Sequence, residues 1–475
     1  MNAEPGLPGR RTRQPRRSHW LDWFGDGKGG SGSALLFLLL APLLYAAYAL
    51  LTPPFQTPDE QQHLFRAWQL SELQVIGERR PNGSGGVLPV SLGTAAASEI
   101  GSLEPHATRE VVARPLKEIF AADTAAAAQA RKFYDFRGAV IYAPAGYVPQ
   151  VLSIWLGRST GLSIETIIRI GRLLNGGLAI LLIYLALRLA PVGALAILWV
   201  GLLPMSAAAS ASFGQDGMVI GGGCLLTAIG MRVLFNQRWS RVDLLVTAGL
   251  VSAVTLAKIC YFPLALIGAD PLAGRDRRPR RLIIAAAICI GALLLTALWL
   301  RSVADVTISP RPDIPPVSGR VNAWMRDPAQ LLGILDRTFV ANGPYITDTL
   351  FKFGWLSIGP VRGAKLLSLL GACLVVIAGD RAARHLRWST RLWLFSIAGA
   401  VAVLVAAAIY LYSRPAGDAW AQGFQGRYLI PVAPALLLAC LPARSAAPSY
   451  DGVIAFLMVS ANILCLRTIV DAFYF

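Results

Sequence analysis

The stretch that decides how this chain is arranged is AVIYAPAGYVPQVLSIWL, residues 139–156. It is apolar enough to cross a bilayer, but Pro144, Gly146 and Pro149 interrupt it. Broken helices at membrane depth occur where they line a protein cavity, so this segment could cross. It could also lie at the membrane surface as an interfacial helix. The two alternatives place all later loops on opposite sides of the membrane.

The composition is that of an integral membrane protein. Of the 475 residues, 55% are hydrophobic and 15% are charged, whereas a soluble domain is about 25% charged. Apolar runs close to the length of a membrane-crossing helix recur along the chain. We therefore predict an all-α integral membrane fold of about eleven transmembrane helices, at 34–51, 167–190, 193–211, 217–235, 243–257, 259–272, 282–301, 364–379, 391–412, 428–442 and 452–470.

The arginines choose between the two topologies. The formal net charge is +17, and the arginines cluster in short loops between apolar runs, which is typical of cytoplasmic loops and argues against a nucleic-acid partner. If 139–156 does not cross, all the arginine-rich loops share the cytoplasmic side with the N-terminal tail. If it crosses, every loop from Arg188 onward moves to the opposite side. The arginines concerned are Arg10, Arg11, Arg13, Arg16, Arg17, Arg188, Arg232, Arg238, Arg241, Arg275, Arg277, Arg278, Arg280, Arg281, Arg381, Arg384, Arg387 and Arg391.

The positive-inside rule favours the first arrangement, so we predict that 139–156 is an interfacial helix within the first outer loop. The N-terminus is then cytoplasmic and the C-terminus outside. Residues 1–33, rich in Arg, Pro and Gly, are predicted to be a disordered basic cytoplasmic tail. Residues 34–475 form a polytopic membrane domain with outer loops at about 52–166 and 302–363.

The first candidate site residues follow the first predicted span. Pro58, Asp59 and Glu60 suit the start of a helix, and the two acids could serve only that purpose. However, Asp59, His63 and Arg66 recur at helical spacing and share one face. An acid, an imidazole and a guanidinium on one face suit an anionic, hydroxyl-rich substrate.

Further candidates lie at the ends of later spans. Asp216 stands between two spans, where a carboxylate faces a cavity or caps a helix. Lys258 interrupts two apolar runs, so it either extends to the lipid headgroups or supplies a counter-charge for a phosphate. Arg427, followed by Tyr428, begins a late span, where arginine anchors the headgroups or grips a lipid phosphate.

Several function classes lack their motifs. The chain has no GxxxxGK[ST] phosphate loop, no dinucleotide-binding glycine pattern and no HExxH zinc helix. Its four histidines, His19, His63, His106 and His385, are too scattered to indicate a metal site. Nucleotide-driven pumping by this chain alone is therefore not indicated.

Five strings, taken in order, carry a family resemblance: PPFQTPDEQQHLFRAWQLSE, YAPAGYVPQVLSIWLG, IRIGRLLNG, LPMSAAASASFGQD and GRYLIPV. Together they resemble an uncharacterised family of bacterial membrane proteins, domain of unknown function 2142, over about Leu51 to Val432. That family looks like a branch of the GT-C glycosyltransferases. These enzymes carry an acidic motif in the first outer loop, interfacial helices after it, and a further acid near the third and fourth spans. By this resemblance Asp59 or Glu60 matches the first acid and Asp216 the second.

The resemblance implies transfer of a sugar from a polyprenyl-phosphate donor to a cell-envelope glycan, lipid or protein on the outer face of the bacterial inner membrane. Asp59 or Glu60 would be the catalytic base, supported by Asp216. The substrate contacts would come from His63, Arg66, Lys258, Arg427 and Tyr428. No redox cofactor is implied, and a divalent cation stays open because some relatives with paired acids use one. The alternative function is a lipid-linked glycan transporter or a non-catalytic envelope assembly partner.

The predicted topology can be tested by single-cysteine labelling. A cysteine at Gln61 and one at Gly319 should react with an impermeant thiol reagent added outside intact cells, because both lie in predicted outer loops. A cysteine at Arg278 should stay unlabelled until the membrane is opened. Labelling of Gln61→Cys and Arg278→Cys from the same side would contradict the arrangement.

Overall fold

The computed structural model describes residues 31–81, 83–93, 130–271, 278–308, 317–413, 419–442 and 450–475. The predicted tail, 1–33, lies almost entirely outside the described residues. The first part of the chain forms helices α1 (Ser31–Leu51) and α2 (Glu60–Ser71), strands β1 (Glu78–Arg80), β2 (Gly83–Pro89) and β3 (Arg131–Asp135), and helix α3 (Val148–Thr160). Helices α4 (Ile164–Leu189), α5 (Ala194–Leu202), α6 (Pro204–Ser210), α7 (Asp216–Asn236), α8 (Arg241–Ala257) and α9 (Arg278–Ser302) follow.

The second half of the chain is also mainly helical. It contains α10 (Val317–Arg326), α11 (Pro328–Asp336), α12 (Gly343–Thr349), α13 (Arg362–Ala378), α14 (Trp388–Ser413), α15 (Ala433–Cys440) and α16 (Asp451–Tyr474). Short 3-10 segments cover Pro144–Tyr147, Ile259–Ala269, Ala304–Val306, Arg381–His385 and Gly426–Val432, and a π-helical turn covers Arg337–Ala341.

Six helices within the described ranges, α1, α4, α7, α9, α14 and α16, are long and apolar enough to cross a membrane. The other five predicted spans are shorter or broken, so the count of eleven is not established. Helices α8 and α13 have 17 residues each. The remaining three contain Pro204, Pro263 or Pro431, each of which removes a backbone donor. The run 193–211 divides into two helices at Pro204, and the segments around Pro263 and Pro431 are 3-10 helices. The prediction treated these three apolar runs as membrane-crossing helices, and their prolines explain the departures.

The apolar helices surround α7. In its most apolar window 89% of the residues are buried, against 22% in α9, so α7 is central and α9 peripheral. The partners of α7 are α4, α8 and the Ile259–Ala269 segment. Glycine allows one especially close approach, because a Cβ at Gly223 would lie 2.3 Å from the carbonyl oxygen of Pro431. This contact seats the Gly426–Val432 segment directly against α7.

The topology-deciding stretch begins with the 3-10 turn and continues as α3, which has 13 residues. Such a helix is about 20 Å long and cannot cross about 30 Å of hydrocarbon. Its large apolar side chains at Val148, Leu152, Trp155 and Leu156 are exposed and share one face, while the opposite side packs against α4. This geometry is that of a short amphipathic helix packed on α4 by one side.

The predicted first outer region also contains an antiparallel sheet, ordered β1-β2-β3, that the all-α prediction missed. Gly85 pairs with Glu78 on one side and Asp135 on the other. A Cβ at Gly85 would lie 1.9 Å from the carbonyl oxygen of Tyr134, so the close strand approach requires glycine. The run GSGG of β2 resembles a loop in sequence, because glycine is depleted in strands.

The two predicted outer regions contact each other. Ser84 Oγ donates to the carbonyl oxygen of Val306 at 2.5 Å. Trp355 Nε1 donates to the carbonyl oxygen of Phe55 at 3.0 Å, and Trp299 Nε1, near the end of α9 that leads into the second region, donates to the carbonyl oxygen of Ile141 at 2.7 Å. These bonds bring the two regions together at one end of the helical bundle.

Candidate functional site

A buried ion pair connects the loop that precedes α2 to α4. The side chains of Arg172 and Glu60 are 0% and 1% exposed, and Arg172 Nη2 lies 2.6 Å from Glu60 Oε2. Arg172 Nε donates to Glu60 Oε1 at 2.7 Å, which makes the contact bidentate. The backbone N–H groups of Phe55 and Phe213 also donate to this carboxylate, at 2.7 and 3.1 Å. Glu60 therefore joins the loop that carries Asp59 to the loop that leads into Asp216.

Three polar residues of α4 fix the same two loops. Arg172 also donates to the carbonyl oxygens of Ala49, Thr52 and Pro53 where α1 ends. Arg169 donates to the carbonyl oxygen of Leu50 at 2.9 Å. Asn175 Nδ2 lies 3.0 to 3.1 Å from the carbonyl oxygens of Ser210, Ser212 and Gly214. Ionisable groups at membrane depth are costly unless paired in this way.

Asp59 lies in the most distorted part of the first loop. Its φ is 63°, and Phe55 has the same value, so two non-glycine residues adopt the left-handed region within five positions. Such strain persists only where surrounding contacts impose it, and it is concentrated at functional sites. Asp59 occupies the N-cap position of α2, but its side chain caps no backbone N–H and is exposed. Helix capping therefore does not account for this carboxylate.

His63 lies one turn further along α2. Its Nδ1 is 2.7 Å from Tyr147 Oη, and its ring stacks on Tyr142 at 5.9 Å between centroids. Burial lowers the pKa of His63, although the charges of Asp59 and Asp216 oppose this shift. The imidazole is consequently neutral near pH 7 and can accept a proton or a hydrogen bond.

Asp216, at the first position of α7, is shared by two cations. Lys258 Nζ bonds to Oδ1, and Arg427 Nη1 lies 3.7 Å from Oδ2. The exposed fractions of the three side chains are 17% for Asp216, 26% for Lys258 and 16% for Arg427. Both cations also lie near the Tyr428 ring, at 5.4 and 5.5 Å from its centroid. Two positive charges face one carboxylate here, so this cluster can accept an anionic group.

Two residues predicted for the site have structural contacts instead. Arg66 is fully buried and donates to the carbonyl oxygens of Tyr142 and Val75 and to Gln69 Oε1. Its expected substrate contact is therefore not available in this arrangement. Both oxygens of Glu60 are occupied by Arg172 and backbone donors, so we assign Glu60 a positioning role rather than that of alternate base. Asp59 precedes α2 in a left-handed conformation, and Arg66 lies in the protein interior.

The sequence analysis did not assign several residues that hold this site together. Arg169, Arg172 and Asn175 all belong to the string IRIGRLLNG, where they recur every three positions within an apolar helix. Polar groups at that spacing inside a span were the signal that could have identified them. Tyr147 and Gln150 belong to the second string, and Gln150 Nε2 donates to the carbonyl oxygen of Gly214 at 2.6 Å.

The described residues contain no group of three or more His, Cys, Asp or Glu side chains suited to a metal ion. Asp216 is paired with Lys258 and Arg427, and a cation would have to compete with both. The donor set does not fit the divalent cation that the sequence left open.

The fold and the polar cluster at one end of the bundle define a polytopic integral membrane protein. The chain belongs to the family described as "Predicted membrane protein (DUF2142)", which matches residues 42–436. No curated protein and no solved structure matches the chain. The membership of the family predicted from the five strings is thus confirmed, and every one of those strings supplies a residue to the site or its supports.

The lowered pKa of His63 generates a pH dependence of stability. A histidine in an unfolded chain has a pKa of about 6.5, and the pKa of His63 in the folded protein is lower. Between the two values the unfolded state binds more protons, so stability falls as the pH is lowered through this window. Thermal unfolding in lipid nanodiscs should show a smaller loss of Tm on acidification for His63→Gln than for wild type.

The matched control is His385→Gln, because His385 is exposed and lies far from His63 in the sequence. It should keep the wild-type pH dependence. An unchanged pH dependence in His63→Gln would show that His63 is not the buried neutral group described above.

Proposed function

We propose that this protein is a glycosyltransferase of GT-C type that moves a sugar from a polyprenyl-phosphate donor to a cell-envelope acceptor. The observation that carries the proposal is the pairing of Lys258 and Arg427 with the single carboxylate of Asp216, beside Asp59 and neutral His63. The reaction would take place on the outer face of the bacterial inner membrane, with the N-terminus in the cytoplasm. The family membership supports the membrane location and carries no activity of its own.

The cation pair would bind the donor phosphate. Arg427 Nε is buried and has no hydrogen-bond partner among the described residues, so part of the guanidinium is available to a ligand. Guanidinium binds phosphate oxygens in a bidentate manner, and Lys258 adds a compact charge. Asp216 holds both cations in place before the donor binds. The positive charge would then stabilise the phosphate as it leaves the sugar.

A narrow cleft lies beside Arg427. Its lining is mixed: Pro58, Met205, Ala208 and Phe353 are apolar, and Thr57, Ser212, Lys352 and Gln425 are polar or charged. Apolar walls beside cations suit an amphiphile with a charged head. The polyprenyl chain of the donor would lie along these walls, while its phosphate meets Arg427 and Lys258.

Asp59 would be the catalytic base. It is exposed, it caps nothing, and it lies on the same helix as His63, one turn away. In the proposed step the acceptor O–H gives its proton to Asp59 while its oxygen bonds to the anomeric carbon. The bond from that carbon to the phosphate oxygen breaks, and polyprenyl phosphate leaves with the electron pair. His63 and Tyr428 would contact sugar hydroxyls at either side of this centre.

Replacement of Asp59 by asparagine tests the step. Asp59→Asn is nearly isosteric and removes the proton acceptor, so the release of undecaprenyl phosphate from undecaprenyl-phosphate monosaccharides should fall by about a hundredfold to ten-thousandfold. The assay uses purified protein in lipid nanodiscs with a panel of such donors and a cell-envelope extract as acceptor. Expression and Tm should stay close to wild type, because the Asp59 side chain is exposed and caps no backbone N–H.

Asp336→Asn is the matched control, because Asp336 is an exposed acid in the second outer region that caps no backbone N–H. It should retain full activity. A well-folded Asp59→Asn variant that turns over donor like wild type would contradict the proposed mechanism. Donor translocation without release of undecaprenyl phosphate by the wild-type protein would favour a transporter instead.

A further inference from the structure

A second cavity lies on the neighbouring face of α2, outside the cluster around Asp216. It has a volume of about 380 Å³ and is lined by Gln61, Gln62, Phe65, Asp135, Arg137 and Gly138. Ligand sites in proteins begin at roughly 300 Å³, so the space is large enough for a small molecule. Gln61 and Gln62 lie between Glu60 and His63 in sequence, so the cavity is within one helical turn of Asp59.

The lining offers hydrogen-bond donors and acceptors but no net charge. Asp135 and Arg137 neutralise each other through an ion pair of 2.5 Å. Burial opposes ionisation of Asp135, but the hydrogen bond from Arg137 is strong enough to lower the pKa of this carboxyl below its ordinary value. The amide of Gln61 has no partner among the described residues, and Gln62 Nε2 donates to none of them. A neutral lining of this kind favours a neutral polar ligand over a phosphate.

The cavity is held in shape by its own contacts. Gln62 Oε1 accepts from the backbone N–H of Gly138 at 2.9 Å. Asp135 Oδ1 accepts from the backbone N–H groups of Ser84 and Arg137 at 3.1 and 3.2 Å. A Cβ at Gly138 would lie 2.4 Å from Gln62 Oε1, so a larger residue there would displace the Gln62 amide. Gln62 Oε1 and the Asp135 carboxylate are thus fixed before any ligand arrives, which lowers the entropic cost of binding.

Planar amides, a carboxylate and a guanidinium beside an aromatic wall match the chemistry of a sugar ring. Amide and carboxylate oxygens accept from hydroxyl groups, while amide and guanidinium N–H groups donate to them. Phe65 closes the apolar side of the cavity, is itself only 2% exposed, and packs against Tyr134 at 4.9 Å between ring centroids. A sugar held here would lie next to the first turn of α2, where Asp59 is exposed.

We propose that this cavity binds a neutral sugar unit of the acceptor, and that it presents an acceptor hydroxyl toward Asp59. This inference rests on the proposed glycosyl transfer and names the acceptor class for it as an uncharged, hydroxyl-rich glycan. The Lys258 and Arg427 cluster takes the anionic donor, so the two sites divide the substrates by charge.

The inference can be tested by ligand binding alone. Purified protein in nanodiscs is examined by saturation-transfer NMR with methyl α-D-mannoside, methyl α-D-glucoside, N-acetylglucosamine and, as an anionic probe, inorganic phosphate. At least one neutral sugar should receive saturation from wild type. Gln61→Leu removes an unbonded amide at similar size and should weaken that binding roughly threefold to tenfold, the worth of one neutral hydrogen bond.

Arg137→Lys provides a second variant, since it keeps the charge but loses the planar fork, and it should weaken the same sugar. Gln330→Leu is the control, because Gln330 is an exposed glutamine of α11, and it should bind sugar like wild type.

The inference is overturned if no neutral sugar binds wild type, if Gln61→Leu and Arg137→Lys bind like wild type, or if phosphate competes for the cavity. If sugar binding is weakened in Gln61→Leu but kept in Asp59→Asn, the result supports the cavity even if no sugar transfer is detected. Transfer that persists unchanged in Gln61→Leu contradicts the cavity and leaves the proposed function standing.

Discussion

The arrangement depends on the buried ion pair between Glu60 and Arg172. Burying two charges costs about several kcal/mol per ion unless good geometry and further hydrogen bonds compensate for the lost hydration. Here both side chains have such hydrogen-bond partners. Glu60 accepts from Arg172 and from two backbone N–H groups, while Arg172 also donates to three carbonyl oxygens at the end of α1. Removing either partner would leave an uncompensated charge inside the protein. The pair therefore fixes where the first outer loop turns over the end of α4.

This constraint brings separate parts of the chain to one place. The loop before α2 presents Asp59, and the loop before α7 presents Asp216, because both loops bond to the same carboxylate. Lys258 and Arg427 then reach Asp216 from the ends of the segments that pack against α7. Strain at Phe55 and Asp59 is the local consequence, since the chain must turn sharply to place Glu60 inward.

The apolar runs predicted the membrane fold well, and the motifs predicted the family. The effects of Pro204, Pro263 and Pro431 on helix geometry were underestimated. An average of hydropathy over a window does not register that a proline removes a backbone hydrogen-bond donor. The sheet around Gly85 was missed, since its glycines serve close strand approach rather than a turn. The residues Asp59, Asp216, Lys258 and Arg427 were named from sequence, but their pairings were not. Glu60 and Arg172 are 112 positions apart, and local patterns carry no information on such contacts.

A double-mutant cycle on Glu60 and Arg172 tests the central claim most directly. The free energy of unfolding is measured in lipid for wild type, Glu60→Gln, Arg172→Met and the double variant. Each single change should destabilise the protein by about 3–5 kcal/mol, and the double variant should lose far less than the sum, because no charge is left unpaired. Additive losses, or single variants as stable as wild type, would contradict the claim that this ion pair holds the two loops together.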